Sequence, residues 1–163
     1  MNIQNAKNIT GDECEDVVLS HLTGQGWKVF TPQHGKGMAD LVVYHEDGGC
    51  ITYQVKTLAK QGGKHVSAKK GLADGLVTEG KRPRIVLKLQ DDKKRQYKDN
   101  GIDWMVGVDP QTKELYFYPL KVYKNFKSQL CIDKVKSRKH PEAPELKHFK
   151  EKRKISDLTS ILD

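Results

Sequence analysis

Met38-Ala39-Asp40-Leu41-Val42-Val43-Tyr44, the turn Glu46-Asp47-Gly48-Gly49, and Cys50-Ile51-Thr52-Tyr53-Gln54-Val55-Lys56-Thr57 together decide the fold of this chain. The first run has a continuous apolar centre, Leu41-Val42-Val43, which suits a buried strand. The second alternates Ile51, Tyr53 and Val55 against Thr52, Gln54 and Lys56, a period of two. Acidic and glycine residues between them supply a tight turn, so the two strands form a hairpin. Gln54 and Lys56 are two residues apart and share one face of their strand. A polar amide and a charge placed inside an otherwise apolar run cost stability unless they serve a site. Asp40 interrupts its own strand in the same way, just ahead of the apolar centre. The hairpin brings Asp40 near Gln54, and an acid, an amide oxygen and an ammonium then converge at one edge of a sheet.

That grouping suits phosphodiester hydrolysis. Magnesium prefers hard oxygen ligands in an octahedron and keeps several waters. Asp40 supplies an anionic ligand, and the Gln54 side-chain oxygen and Val55 backbone carbonyl supply neutral ones. Lys56 holds or helps deprotonate a water and counters charge growing on the phosphoryl oxygens. Manganese accepts the same donors and substitutes. Upstream, residues 10–25 read as a helix capped by Thr10 or Asp12. Acidic residues fill its first turn, Val18, Leu19 and Leu22 form its apolar face, and Gly24 and Gly26 end it. Glu15, early on this helix, is placed to order a metal-bound water or to join a second metal.

Further strands are expected at Trp27–Phe30, Arg84–Leu89, Trp104–Val108 and Leu115–Pro119, the last two joined by the turn Asp109-Pro110-Gln111. Asp91–Asp99 reads as a polar helix or loop, and the apolar pattern weakens after Pro119. A helix followed by a three-strand meander and mixed elements argues for an α/β domain with a mixed β-sheet flanked by helices. Residues 1–125 carry this core. Residues 126–163 form a basic extension, either part of the same compact unit or a DNA-binding tail.

The bulk numbers agree with one domain: 163 residues, 36% hydrophobic and 31% charged, with a net charge of +8. Lys121–Lys154 holds 12 basic and 4 acidic residues, leaving 17 of each sign elsewhere, so the whole excess lies near the C-terminus. Such a block attracts a polyanion, of which nucleic acid is the commonest, or merely solubilises the chain. Lys36 flanks the hairpin, and Lys60, Lys64, Lys69 and Lys70 follow it around Gly62-Gly63. They form a DNA-facing set or an ordinary surface loop. No apolar run approaches membrane-spanning length and no apolar signal core follows Met1, which favours the cytoplasm and argues against a membrane partner. Cys14, Cys50 and Cys131 form no Cys-x-x-Cys pair, and the six histidines show no metal-ligand spacing.

Asp40, followed after thirteen residues by Gln54-Val55-Lys56, resembles the PD-(D/E)XK nuclease signature, with Gln in place of the second acid and Ala39 in place of the proline. Gly11-Asp12-Glu13-Cys14-Glu15 with Val18, Leu22 and Gly26 resembles that superfamily's first helix, with Glu15 at its metal-site acid. The Gln-Val-Lys form, Ile102-Asp103-Trp104 and Tyr116-Phe117-Tyr118-Pro119 are similar to the branch associated with group I introns, the homing endonucleases of this fold. The resemblance covers roughly residues 8–125. It implies a restriction-endonuclease-like core, a magnesium-dependent endonuclease acting on double-stranded DNA, and Glu15, Asp40, Gln54 and Lys56 as its site. A junction-resolving nuclease shares these positions, and the loss of one acid at Gln54 also allows an inactive DNA-binding relative. Cutting both strands of a duplex from one site per chain calls for a homodimer or a larger homo-oligomer.

Overall fold

The structure, a computed structural model, describes residues 11–33, 38–61, 84–133 and 138–142. Helix α1 runs over Gly11–Gly24. It stops where Gly26 takes a left-handed φ of 91°, a conformation glycine adopts at no steric cost. Gly26 N–H then bonds to Thr23 O at 2.9 Å and Trp27 N–H to Leu22 O at 3.1 Å, a paired closure that satisfies the last helical carbonyls. Cys14, Val18 and Leu22, spaced four apart, form the buried stripe of this helix.

Strands β1 (Lys28–Phe30), β2 (Leu41–Tyr44) and β3 (Cys50–Thr57) form the expected meander. The β2–β3 turn is closed by Gly48 at a φ of 90° and by the Asp47 carboxylate, which accepts Gly49 N–H at 3.0 Å. Strands β4 (Ala59–Gln61) and β5 (Arg84–Lys88) follow, then a short 3₁₀ turn at Tyr97–Asn100. Strands β6 (Trp104–Val108) and β7 (Leu115–Pro119) form the second expected hairpin, and β8 is Gln129–Cys131. The main sheet has the order β1-β2-β3-β6-β7, antiparallel throughout except for the parallel pair β3–β6. A parallel pair needs a crossover, and here the connection carries β4, β5 and the 3₁₀ turn.

The second sheet, β4-β5-β8, packs against the main one on the side opposite α1. Leu41, Val43, Tyr53, Val55, Trp104 and Val106 face the helix, whereas Met105 and Tyr118 face Leu58, Leu87 and Leu130 of the small sheet. Strand β6 is buried along its entire length, as a strand covered on both faces must be. The expected mixed sheet with a flanking helix is present. Among the described residues a helix covers one face and the three-stranded sheet the other. The core continues past Pro119, where the apolar pattern weakens, into β8. Leu130 and Ile132, beyond residue 125, are buried, and Ile132 N–H bonds to Ile85 O at 3.0 Å. Three residues of strand embedded in a basic stretch give too short an apolar pattern to read from periodicity.

Close approach of the two sheets rests on Gly107. It lies opposite Lys56 in the parallel register, and a Cβ there would meet Leu58 Cδ2 at 2.5 Å. Leu58 fills this space as the chain leaves β3 for β4, and its N–H still bonds to Val108 O at 2.9 Å. The chain thus changes sheets directly after the Gln54-Val55-Lys56 segment, which leaves that segment facing an open end of the sandwich.

Candidate active site

Asp40 sits just before β2, and its N–H bonds to Tyr53 O at 2.9 Å, extending the β2–β3 ladder by one residue. Its side chain therefore lies on the same face as Gln54. The Asp40 carboxylate Oδ2 accepts the Val55 backbone N–H at 2.8 Å and a short hydrogen bond from the Gln54 amide Nε2. Gln54 Nε2 also donates to the Val55 carbonyl at 3.3 Å. Gln54 is only 5% exposed, so this polar side chain is buried rather than solvated. Asp40, Gln54 and the Val55 backbone thus form one hydrogen-bonded knot at the end of the hairpin.

Glu15 comes to the same place from α1. Cys14, its neighbour, is buried and lies 3.1 Å from Thr57 Oγ1, tying the first turn of the helix to the end of β3. Burial raises the pKa of Glu15 and the negative charge of Asp40 raises it further, followed by Asp12 and Asp16, while Lys56 pulls the other way. Asp40 is likewise raised, first by burial, against the opposing pull of the Val55 N–H and Lys56. Two carboxylates raised in this way are held together at a cost that a cation between them would relieve. Burial also raises the Cys14 thiol.

These residues line a cleft of about 420 Å³ that also includes Ala59, Lys88, Gln90, Asp91, Asp92 and Tyr97. Lys56 projects into it with Nζ 5.5 Å from the centre of the Tyr97 ring. The donor set of two carboxylates, an amide and a backbone carbonyl is all hard oxygen, the kind magnesium accepts. Among the described residues no group of three or more His, Cys, Asp or Glu side chains could hold a metal, so any cation here relies on Gln54 and the Val55 carbonyl as well. As arranged, Gln54 turns its NH₂ toward Asp40. A half-turn about its last torsion, nearly neutral sterically, presents the amide oxygen beside the carboxylate instead. The residues fit a divalent cation.

The lysines assigned to DNA divide differently. Lys60 is exposed on β4 and lines a neighbouring hollow with Thr57, Asp109 and Gln111, not the Asp40 cleft. Lys36, Lys64, Lys69 and Lys70 lie outside the described residues. The far wall of the cleft, from Lys88 to Tyr97, lies outside the residues that the motif spacing singles out. Asp91 and Arg95 form an ion pair at 2.7 Å on that wall. The signal available was one aromatic residue in a polar run, Tyr97, which is 3% exposed.

A family model described as PD-(D/E)XK endonuclease matches residues 5–152. Among solved structures, the chain is similar to a bacterial homing endonuclease, I-Ssp6803I, with a TM-score of 0.61 and 18% sequence identity. The match covers 97% of this chain and 94% of that one. No curated protein sequence matches it. The mixed sheet, the helix laid across it and the family match over nearly the whole chain lead to one conclusion: this protein belongs to the PD-(D/E)XK endonuclease family.

Proposed function

We propose that the chain is a magnesium-dependent endonuclease that hydrolyses phosphodiester bonds of double-stranded DNA, of the homing type. The observation that carries this reading is the convergence of Asp40, Gln54, the Val55 carbonyl, Glu15 and Lys56 on one cleft. The homing type is supported by the likeness to I-Ssp6803I and by the Gln-Val-Lys form of the motif. Asp40, Gln54 and the Val55 carbonyl would hold the cation, with Glu15 beside them. When bound, magnesium supplies a Lewis acid for a phosphoryl oxygen and lowers the pKa of water, and manganese offers the same chemistry. Lys56 Nζ donates hydrogen bonds to the non-bridging oxygens as charge builds on them, and holds the attacking water. The Val55 N–H fixes one oxygen of Asp40, Oδ2.

The basic C-terminal block and the lysines after β3 supply sequence-independent phosphate contacts. One cleft per chain and two strands per duplex favour a homodimer or larger assembly, which acts in the cytoplasm. No helix among the described residues is long and apolar enough to cross a membrane.

The test compares wild type with Asp40→Asn on linear plasmid and on a four-way junction, with magnesium. Asn keeps one oxygen for the Val55 N–H but loses the charge, so duplex cleavage disappears while binding to DNA changes little. Two shorter duplex fragments, rather than a full-length duplex carrying a nick, indicate paired sites. Cleavage of the junction alone changes the substrate to a branched one. Binding with no cleavage of either makes the chain an inactive relative, and full activity of Asp40→Asn removes Asp40 from the site.

A further inference from the structure

Lys56 has a long flexible side chain and a compact, strongly hydrated charge. To act at one phosphate it must be held, and the carboxylates of Asp40 and Glu15 are the obvious partners, since Lys56 acts electrostatically on both. That hold weakens when it is needed. A divalent cation between the carboxylates neutralises them and repels the ammonium. Among the described residues a further contact is the Tyr97 ring, whose face attracts a cation within about 6 Å through its quadrupole and carries no charge to be neutralised. Nζ lies 5.5 Å from the ring centre.

The ring is also immobilised. Tyr97 is 3% exposed and packs in the cluster that includes Leu58, Leu89 and Met105. Its N–H bonds to Leu89 O and its carbonyl accepts Ile102 N–H, both at 3.2 Å. Gly101, at a φ of 78°, also donates to that carbonyl, and Gln90 and Gln96 bridge the strand end to the turn. A rigid wall thus faces a flexible lysine across the cleft. We propose that Tyr97 is a positioning residue that keeps the Lys56 ammonium at the reacting phosphate in the cation-loaded site, an inference that rests on the nuclease reading above.

Two measurements test it. The first is the NMR shift of the Lys56 side-chain methylene next to Nζ, assigned with Lys56→Arg, without metal and with calcium ions. A ring current moves this signal in wild type and in Tyr97→Phe, in both conditions, and the shift is lost in Tyr97→Leu. The second is the single-turnover cleavage rate in magnesium, beside the Kd for uncut DNA in calcium. Tyr97→Leu lowers the rate about tenfold, the scale of one well-made cation–ring contact, at unchanged Kd. Tyr97→Phe stays within about threefold, and a pentafluorinated phenylalanine at position 97, equal in packing but reversed in quadrupole, falls with the leucine variant. If Tyr97→Leu does not fold, the fluorinated variant and the wild-type NMR signal carry the test. A Lys56 signal without a ring-current shift once calcium is bound overturns the proposal, as does a fluorinated variant that cuts at the wild-type rate. Wild-type protein that cuts no DNA refutes the nuclease reading instead, while the NMR signal still shows whether Tyr97 holds Lys56.

Discussion

Gln54→Glu restores the acid that the family signature has at this position, and its consequence follows from the geometry. Gln54 is 5% exposed, donates to the Asp40 carboxylate and donates to the Val55 carbonyl at 3.3 Å. An ionised glutamate can donate neither bond and places a second anion against Asp40. Losing a charge-assisted hydrogen bond costs about 1.5–3 kcal/mol, and two like charges about 4 Å apart repel by ~4 kcal/mol at an effective dielectric of ~20. Protonation sets a ceiling. Holding a carboxyl protonated at pH 7 from an ordinary pKa of about 4.3 costs ~3.7 kcal/mol, so the charged pair gives way before the larger figure is reached. The variant should therefore lose about 2–4 kcal/mol at pH 7 without metal. A divalent cation reverses the sign of the interaction, so millimolar magnesium should return most of that loss, and the variant should need less magnesium than wild type for half-maximal cleavage. Urea unfolding in a chelator and in magnesium, followed by far-ultraviolet circular dichroism, measures both changes. Equal stability of the variant and wild type in chelator would refute the packing of Gln54 against Asp40. A loss that magnesium leaves untouched would refute a cation site at that pair.

Lys56→Ala should lower the single-turnover rate on the order of 10²-fold or more, whereas a change confined to DNA affinity would make Lys56 a phosphate anchor. Stability without metal should fall as pH rises through the raised folded values of Glu15 and Asp40. A raised carboxyl contributes stability that is fully present below its unfolded value, 4.5 for Glu and 3.8 for Asp, and lost above its folded one. The slope should flatten in Glu15→Gln, and a slope unchanged in both Glu15→Gln and Asp40→Asn would contradict the pairing. Gly107→Val should destabilise by about 1–3 kcal/mol in urea, because a Cβ there already meets Leu58 Cδ2 at 2.5 Å and the branched atoms go further into Leu58 and Leu87. An unaffected midpoint would mean that the small sheet does not rest on that contact.

Local information carried far in this chain because the decisive features are local. The β2–β3 hairpin depends on an apolar run, a turn with glycines and a period-two run, all within twenty residues, and its register then places Asp40 opposite Gln54 without further help. The extents of β3, β6 and β7 match the expected ones, with Gly48-Gly49 opening β3 and Asp109-Pro110 closing β6. Glu15 could be placed near the site from the family spacing alone, since a helix beginning at Gly11 has limited freedom across a sheet that short. What lay beyond the sequence is everything that depends on distant segments meeting. Parallel pairing of β3 with β6 joins residues about fifty apart, and no periodicity records which strand a neighbour will be. The burial of Gln54 is equally non-local, because an alternating strand looks the same whether its polar face meets water or is covered by distant parts of the chain. Strand β8 is too short and too surrounded by lysines to show a period, and it becomes a core strand only because β5 offers it an edge. Tyr97 was hidden for the same reason: in a polar run it reads as a surface residue, and only the crossover from β3 to β6 turns its ring toward Lys56. Residue chemistry and short-range spacing therefore determined which groups could form a site, and tertiary packing determined which of them are dry, which are charged together, and what stands across the cleft from them.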